Sequence, residues 1–223
     1  MPLLGSAAML LSFDVVAEDI EEHDRWHTHE HLPERLSIPG FVRGTRWIAL
    51  EGTPRYMVVY EVADLAVLES EPYLARLNSP SPWTSRIMPS YRGMNRGFCA
   101  VLGSFGVGLG YAAALVRFTE PQEDPERLHQ GLLHEALPGL PGMTGLGGAH
   151  LLRGAQTPSM TKEQSIRGAD RGVDSALIVM GYDADAVTAA ARMLREGLSA
   201  HGASGVGTAT YRLDYALTSS EVR

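Results

Sequence analysis

A single cysteine, Cys99, stands among 223 residues, so neither an intrachain disulfide framework nor a cysteine-based zinc or iron-sulfur cage can form within one chain. Basic residues are outnumbered by acidic ones, 19 to 26, and Lys and Arg nowhere cluster. That balance excludes a surface that tracks phosphates, and no nucleic-acid partner is expected. No stretch reaches the ~18 consecutive apolar residues a membrane helix needs, and the opening MPLLGSAAMLL has no basic residues before its apolar run. Neither export nor membrane insertion is expected, and a reducing cytoplasm is the default location. Gly-Lys-Ser/Thr does not occur, and Gly106-x-Gly108 lacks the third glycine of a dinucleotide loop, so the glycine-rich joint at 103–110 reads as a connector. What remains as partner is a small-molecule ligand, or a second copy of the chain in a homo-oligomer.

Apolar residues make up 44% of the chain and charged residues 20%, proportions that exclude a disordered or fibrous protein. Periodicity then gives the elements. Ala8 to Val16 reads as a strand, and Glu18 to about Leu32 as a helix stopped by Pro33 and the Pro39-Gly40 pair. Phe41 to Leu50 and Arg55 to Val62 are strands of a hairpin around Glu51-Gly52-Thr53-Pro54. A helix follows from Leu65 to about Leu77, and Trp83 to Tyr91 resumes it after a proline break. Phe98 to Leu102 is a fourth strand.

The same β-α-β-β-α-β order then starts again: strand Tyr111 to Phe118, helix Pro125 to about Leu137, strands Met143 to Leu152 and Ser175 to Tyr182, helix Ala184 to about His201, strand Thr208 to Ala216. A shift of 102 residues lays Pro39-Gly40-Phe41 on Pro141-Gly142-Met143, which reads as an internal duplication. The expected fold class is α+β. Two ferredoxin-like halves, 1–105 and 106–223, each leave one sheet face bare and bury those faces against each other as an intrachain α+β barrel. The second half carries a longer polar loop at 155–172, which fits a lid or a solvated excursion.

The densest chemistry is His23-Asp24-Arg25-Trp26-His27-Thr28-His29-Glu30-His31. At helical spacing Ile20, His23, Trp26, His27, Glu30 and His31 share one half of the helix, where a helix packed on a sheet normally presents aliphatic residues. Three readings fit: metal ligation by His27 and His31 with Glu30 or His23, a hydrogen-bonded structural network, or proton transfer by His31 in a small-molecule pocket. Leu32-Pro33 stands where the zinc-protease motif needs a second histidine, so no metal site is expected. On the next strand Arg46 sits among apolar neighbours, and it needs either a carboxylate such as Glu30 or a ligand oxygen. Tyr56 and Tyr60 share one strand face, and Trp83 could cover one side of a pocket.

The run Trp26-x4-His31-Leu32-Pro33-Glu34-Arg35-Leu36-Ser37-Ile38-Pro39-Gly40-Phe41, followed by Arg46-Trp47 and Tyr56-Met57-Val58-Val59-Tyr60-Glu61, resembles the EthD-like branch of the dimeric α+β barrel superfamily. The resemblance is specific from Trp26 to Tyr60 and looser to Arg96. It implies a barrel of ferredoxin-like halves and a pocket between sheet and helices near His31. Relatives in that superfamily include cofactor-independent monooxygenases, polyketide cyclases, lactone isomerases and haem enzymes, so the fold alone does not select a reaction. The 102-residue shift sets Leu133 opposite His31, with His134 one residue away, and leaves one polar site per chain. No motif implies a cofactor and none is expected, although one histidine would suffice as an axial ligand of a haem. Two functions remain. One is an enzyme on an apolar or aromatic carbonyl compound, of the monooxygenase, cyclase or isomerase kind, with His31 as general acid/base, Glu30 beside it, and Trp26, His27, Arg46, Tyr60 and Trp83 around the substrate. The other is a non-catalytic ligand-binding or structural barrel.

Overall fold

Strands that are apolar on both faces must be covered on both sides, and a closed barrel inside a layer of helices meets that demand. In the computed structural model, which describes residues 3–51, 53–155, 161–168 and 170–222, eight strands close in this way. They are β1 (Ala7–Val15), β2 (Phe41–Glu51), β3 (Tyr56–Val62), β4 (Tyr91–Gly106), β5 (Ala112–Thr119), β6 (Leu146–Ala155), β7 (Ser175–Gly181) and β8 (Ser204–Thr218). Around the barrel the order is β1-β3-β2-β8-β5-β7-β6-β4, and every ladder is antiparallel. Leu10, Trp47, Met57, Leu115, Ile178 and Tyr211 fill the interior, as an eight-stranded barrel requires. One mouth is closed by charge: Arg43 Nε donates to Glu61 Oε1 at 2.6 Å, and the Leu4 amide donates to Glu61 Oε2 at 2.6 Å.

Outside, the helices form two separate apolar layers. Trp26, Leu32, Leu36, Tyr73, Leu77 and Ile87 pack on the outer faces of β1 to β4. They lie on or beside α1 (Ile20–Trp26), α2 (Leu32–Leu36), α3 (Glu71–Asn78) and α4 (Pro82–Ile87). On β5 to β8 the layer comes from α5 (Pro125–Gly131) and α7 (Ala184–Ala200). Along α7 Val187, Ala190, Ala191, Leu194 and Leu198 recur at helical spacing and are buried, and Asp183 caps the start through the amides of Asp185 and Ala186. The short α6 (Lys162–Arg167), in the polar loop between β6 and β7, lies instead against α3 and the turn at 88–90, over the first layer.

Several boundaries differ from those read in the sequence. Pro33 does not stop the first helix. Residues His27–His31 form a π turn in which Leu32 N–H bonds His27 O, and the chain continues as α2 to Leu36. With Pro33 in the first turn of that renewed helix, its missing N–H falls where a donor is dispensable. β4 runs from Tyr91, well before Phe98; Arg92, Gly93, Asn95 and Gly97 disguised it, yet their backbone pairs with β1 and extends toward residue 171. The helix from Leu65 divides at Ser70 into a 3-10 segment and α3, with Pro72 opening the second piece.

The register between the two sets of elements is also corrected. A second π turn, Leu132–Ala136, lies 105 residues after the first. Gly40 and Gly145, at the same offset, both have positive φ, +92° and +88°, and both precede a strand. Their carbonyls accept the amides of Ala63 and Tyr182, each just past the next strand. Pro141-Gly142 therefore is not the counterpart of Pro39-Gly40, since Gly142 lacks the left-handed backbone. At the offset of 105, Ala136 stands opposite His31 and Gly131 opposite Trp26.

Candidate active site

The π turn decides which side chains meet. Widening the helix by one residue brings positions five apart onto one side, and the His31 ring lies on Trp26 with centroids 4.3 Å apart and planes 32° from parallel. His27 follows on the same side, its centroid 5.6 Å from that of His31. Both imidazoles face a cavity of about 20 Å³ between the helices and the outer face of the first sheet. Met9, Leu11 and Phe13 come from β1, Val58 and Tyr60 from β3, Tyr91 and Arg96 from β4, Tyr73 and Leu77 from α3, Arg35 from α2 and Glu163 from α6. That volume holds about one water.

His27 is fully buried and its pKa is pushed well below the ordinary value, first by burial and then by the charges of His23, Arg46 and Arg35. A neutral imidazole follows, and its Nε2 meets the Tyr60 hydroxyl at 3.3 Å. Burial likewise pushes the Tyr60 phenol up, keeping it protonated. His31, with 9% of its surface exposed, is the histidine of this pair closest to solvent.

Other residues expected at the site are held elsewhere. Glu30 is held by other groups: its Oε1 accepts from Trp26 Nε1 at 3.1 Å, Ser81 Oγ at 2.5 Å and Thr84 Oγ1 at 3.2 Å. Its carboxylate thus fixes the indole on which His31 rests. Arg46 does not pair with Glu30. Its Nε donates to Asp214 Oδ2 at 2.7 Å and its NH1 to the Asp24 carbonyl at 3.1 Å. β8 pairs with β2, so a carboxylate 168 residues away lies nearer than one on the adjacent helix. Trp83 points away from the cavity and donates to Glu22 Oε1 at 2.8 Å. His23 sits between Asp24 Oδ1 at 3.1 Å and Tyr91 OH at 3.2 Å, with Tyr56 OH also donating to Asp24 Oδ1 at 2.8 Å. Burial lowers the His23 pKa, and the Asp24 bond only partly opposes it. Burial would raise the Asp24 carboxyl, but the hydrogen bonds from His23 and Tyr56 and the nearby Arg46 more than offset that and hold it low.

Three charged lining groups, Arg35, Arg96 and Glu163, were not singled out from the sequence. Arg35, 1% exposed, reaches the cavity edge one helical turn beyond His31, and Glu163 meets it from α6. Arg35 was visible only inside the Pro33-Glu34-Arg35 run. Nothing local marks Glu163 except the Thr161 capping box with Gln164 that starts its helix.

Metal chemistry finds little support in this geometry. Among the described residues no three His, Cys, Asp or Glu side chains converge as a metal cage, and the nitrogens of His23 and His27 Nε2 are engaged by Asp24 and tyrosine hydroxyls. Among the described residues no helix is long and apolar enough to cross a membrane.

No protein-family model matches the sequence, and no curated protein is similar to it. Solved structures are similar in shape across nearly the whole chain. An anthrone oxidase-like protein superposes with a TM-score of 0.69 at 11% identity, covering 100% of this chain and 98% of its own. A "putative monooxygenase" of Fusobacterium nucleatum gives 0.61 at 7% identity, covering 96% and 95%. Chlorite dismutase of Candidatus Nitrospira defluvii gives 0.58 at 12% identity, covering 94% and 91%. Identities this low carry shape rather than chemistry. The chain therefore has the dimeric α+β barrel fold that the Trp26 to Tyr60 signature implies, closed within a single polypeptide.

Proposed function

We propose that the chain is a small-molecule enzyme acting on an apolar or aromatic carbonyl compound, with His31 as general acid/base. The observation that carries this reading is the position of His31: an imidazole beside Phe13, Tyr60, Tyr73 and aliphatic side chains in a cavity whose charged walls are Arg35, Arg96 and Glu163, held in orientation by stacking on Trp26. As base, His31 takes the proton from a carbon conjugated with the carbonyl, in anthrone the methylene across the central ring, and becomes imidazolium, and the electron pair is delocalised onto the carbonyl oxygen as an enolate. Tyr60, protonated and hydrogen-bonded to neutral His27, is the donor at hand for that oxygen. Glu30 serves as a positioning residue, acting on His31 through the Trp26 indole. An anthrone oxidase-like protein among the structural neighbours fits this substrate class, since anthrone is an aromatic ketone.

Proton exchange tests the reading without any assumption about the later fate of the enolate. Anthrone incubated with the protein in D2O should exchange its methylene protons faster than in buffer alone. His31→Ala should slow that exchange by about 100-fold while the fold is kept. A wild-type protein no faster than buffer would hand the cavity to the second reading, a non-catalytic barrel, which the small volume favours.

We infer as well that residues 1–105 and 106–223 are two copies of one ferredoxin-like unit. The common offset of 105 for first strands, π turns and positive-φ glycines supports this, as do the parallel strand orders β4-β1-β3-β2 and β8-β5-β7-β6. Only the first copy carries the imidazole site, because Ala136 and Gly131 replace His31 and Trp26.

A further inference from the structure

Arg35 is buried to 1% exposure and faces two carboxylates. NH1 donates to Glu34 Oε2 at 3.0 Å, from its own helix. NH2 donates to both oxygens of Glu163, at 2.6 and 2.8 Å, from α6. Glu34 has a second partner in Arg76, whose NH1 lies 3.5 Å from Glu34 Oε1, and burial pushes the Glu34 carboxyl up. Loss of Glu163 would leave Arg35 still paired, so the large penalty of stranding a buried cation does not arise here. Loss of Arg35 would strand Glu163. That asymmetry makes Glu163 the exchangeable member.

Glu163 also differs from Glu34 in what carries it. The α6 helix belongs to the connection between two strands of the second sheet, yet it lies over the first sheet's cavity. Among the described residues its polar fastenings include, besides Glu163 on Arg35, Lys162 N–H to Asn78 Oδ1 at 3.3 Å, Gln164 Nε2 to Asp170 Oδ2 at 3.0 Å, and Asp170 to Arg96 Nε at 3.1 Å. Both Arg35 and Glu163 line the cavity that holds His31. At about 20 Å³ this cavity admits no aromatic molecule while α6 is down, since benzene needs on the order of 150 Å³. A ligand that reaches Arg35 must displace Glu163, and lifting α6 withdraws that carboxylate from the guanidinium.

We propose that Arg35 is the anion-recognising group of this site and that Glu163 is its internal occupant, which a small aromatic carboxylate displaces. The ligand carboxylate takes the place of the Glu163 oxygens on NH2, and its ring enters among Phe13, Tyr60 and Tyr73 as α6 lifts. This rests on reading the cavity as a ligand site but not on proton transfer by His31.

Benzoate is the probe, with benzamide as its uncharged isostere, titrated calorimetrically into the full chain. Glu163→Gln keeps the size of the side chain and removes the competing charge. It should bind benzoate at least ~10-fold more tightly than the parent protein, with benzamide unchanged. The double variant Arg35→Gln/Glu163→Gln, neutral at both positions, should lose that gain. In the parent protein, benzoate at high millimolar concentration should speed hydrogen exchange of the α6 amides, a readout that needs no variant to fold. No gain in Glu163→Gln, an equal gain for benzamide, a gain that survives in the double variant, or α6 exchange unchanged or slowed by benzoate would each overturn the proposal. An inactive wild-type protein in the anthrone exchange assay, by contrast, touches only the proton-transfer reading.

Discussion

Acidification from pH 7.5 to 5 should destabilise this protein by several kcal/mol, and three buried histidines account for the loss. His150, on β6, points into the barrel mouth, where Nδ1 meets Ser104 Oγ at 3.0 Å and Nε2 has no hydrogen-bond partner among the described residues. Burial, aided by the charge of Arg43, pushes its pKa down to about 4. His27 is pushed well down and His23 less so, again chiefly by burial. In the unfolded chain each titrates near 6.5. Below that pH the unfolded state takes up protons that the folded state refuses, so stability present above about 6.5 is lost as pH falls toward the folded values. The loss is about 1.4 kcal/mol per pH unit for each histidine, which gives about 2 kcal/mol for His150 alone by pH 5. Asp24 and Glu120, both held low, add their losses only below about pH 4.5 and do not interfere. Glu34 and Glu61, raised by burial, titrate in the opposite sense and trim the total slightly. Urea unfolding at pH 7.5, 6.5, 5.5 and 5 measures the slope. His150→Gln retains a partner for Ser104 but cannot titrate, so its slope below pH 6 should be shallower by about 1.4 kcal/mol per unit. An unchanged slope would refute the claim that His150 folds as a neutral, desolvated imidazole.

Asp214→Ala should cost about 2 kcal/mol, less than the 3 to 5 of a fully buried pair because Asp214 is a fifth exposed and the Asp24 carbonyl still receives one Arg46 nitrogen. A thermal melt lowered by about 4 to 8 °C is expected, and no shift would mean that Arg46 is content without a carboxylate. Gly145→Ala should lose at least about 2 kcal/mol, since φ is +88° and a Cβ would stand 2.4 Å from the Ala186 Cβ, whereas Gly142→Ala meets open space and should stay within about 0.5 kcal/mol. Equal melting temperatures for the two variants would undo the register of 105.

The barrel was legible because its strands are long apolar runs whose two-sided burial leaves few alternatives, and the histidine-bearing helix because its inward face was conspicuously polar. What escaped depended on information that periodicity does not hold. Pro33 is a helix breaker by local rule, and only the π turn just before it, invisible to a 3.6-residue wheel, lets the chain continue and sets His31 on Trp26. Arg46 was read as needing either a carboxylate such as Glu30 or a ligand oxygen, and the carboxylate it has, Asp214, is reached through strand pairing rather than through the nearest helix. The 102-residue shift aligned identical Pro-Gly letters, while the backbone aligns glycines by their φ angles three residues further on.

The loop at 155–172 was legible in its length but not in its destination. Its length marked it as an insertion relative to the tight turn of the first half, and nothing in its composition says where it goes. Topology does. β4 pairs with β6 antiparallel, with Phe98 opposite Ala155, so the end of β6 emerges beside the strand that floors the His31 cavity. On the way back to β7, α6 lies against α3 and the turn at 88–90, and from there Glu163 reaches Arg35. In a barrel made of two separate, identical chains the same insertion would be forced on both sites or on neither. On the proposal that the two halves are copies of one unit, joining them in one chain removes that symmetry: Gly131, Ala136 and Leu140 stand opposite Trp26, His31 and Arg35, while the second half furnishes, through Glu163, part of the wall of the first half's site.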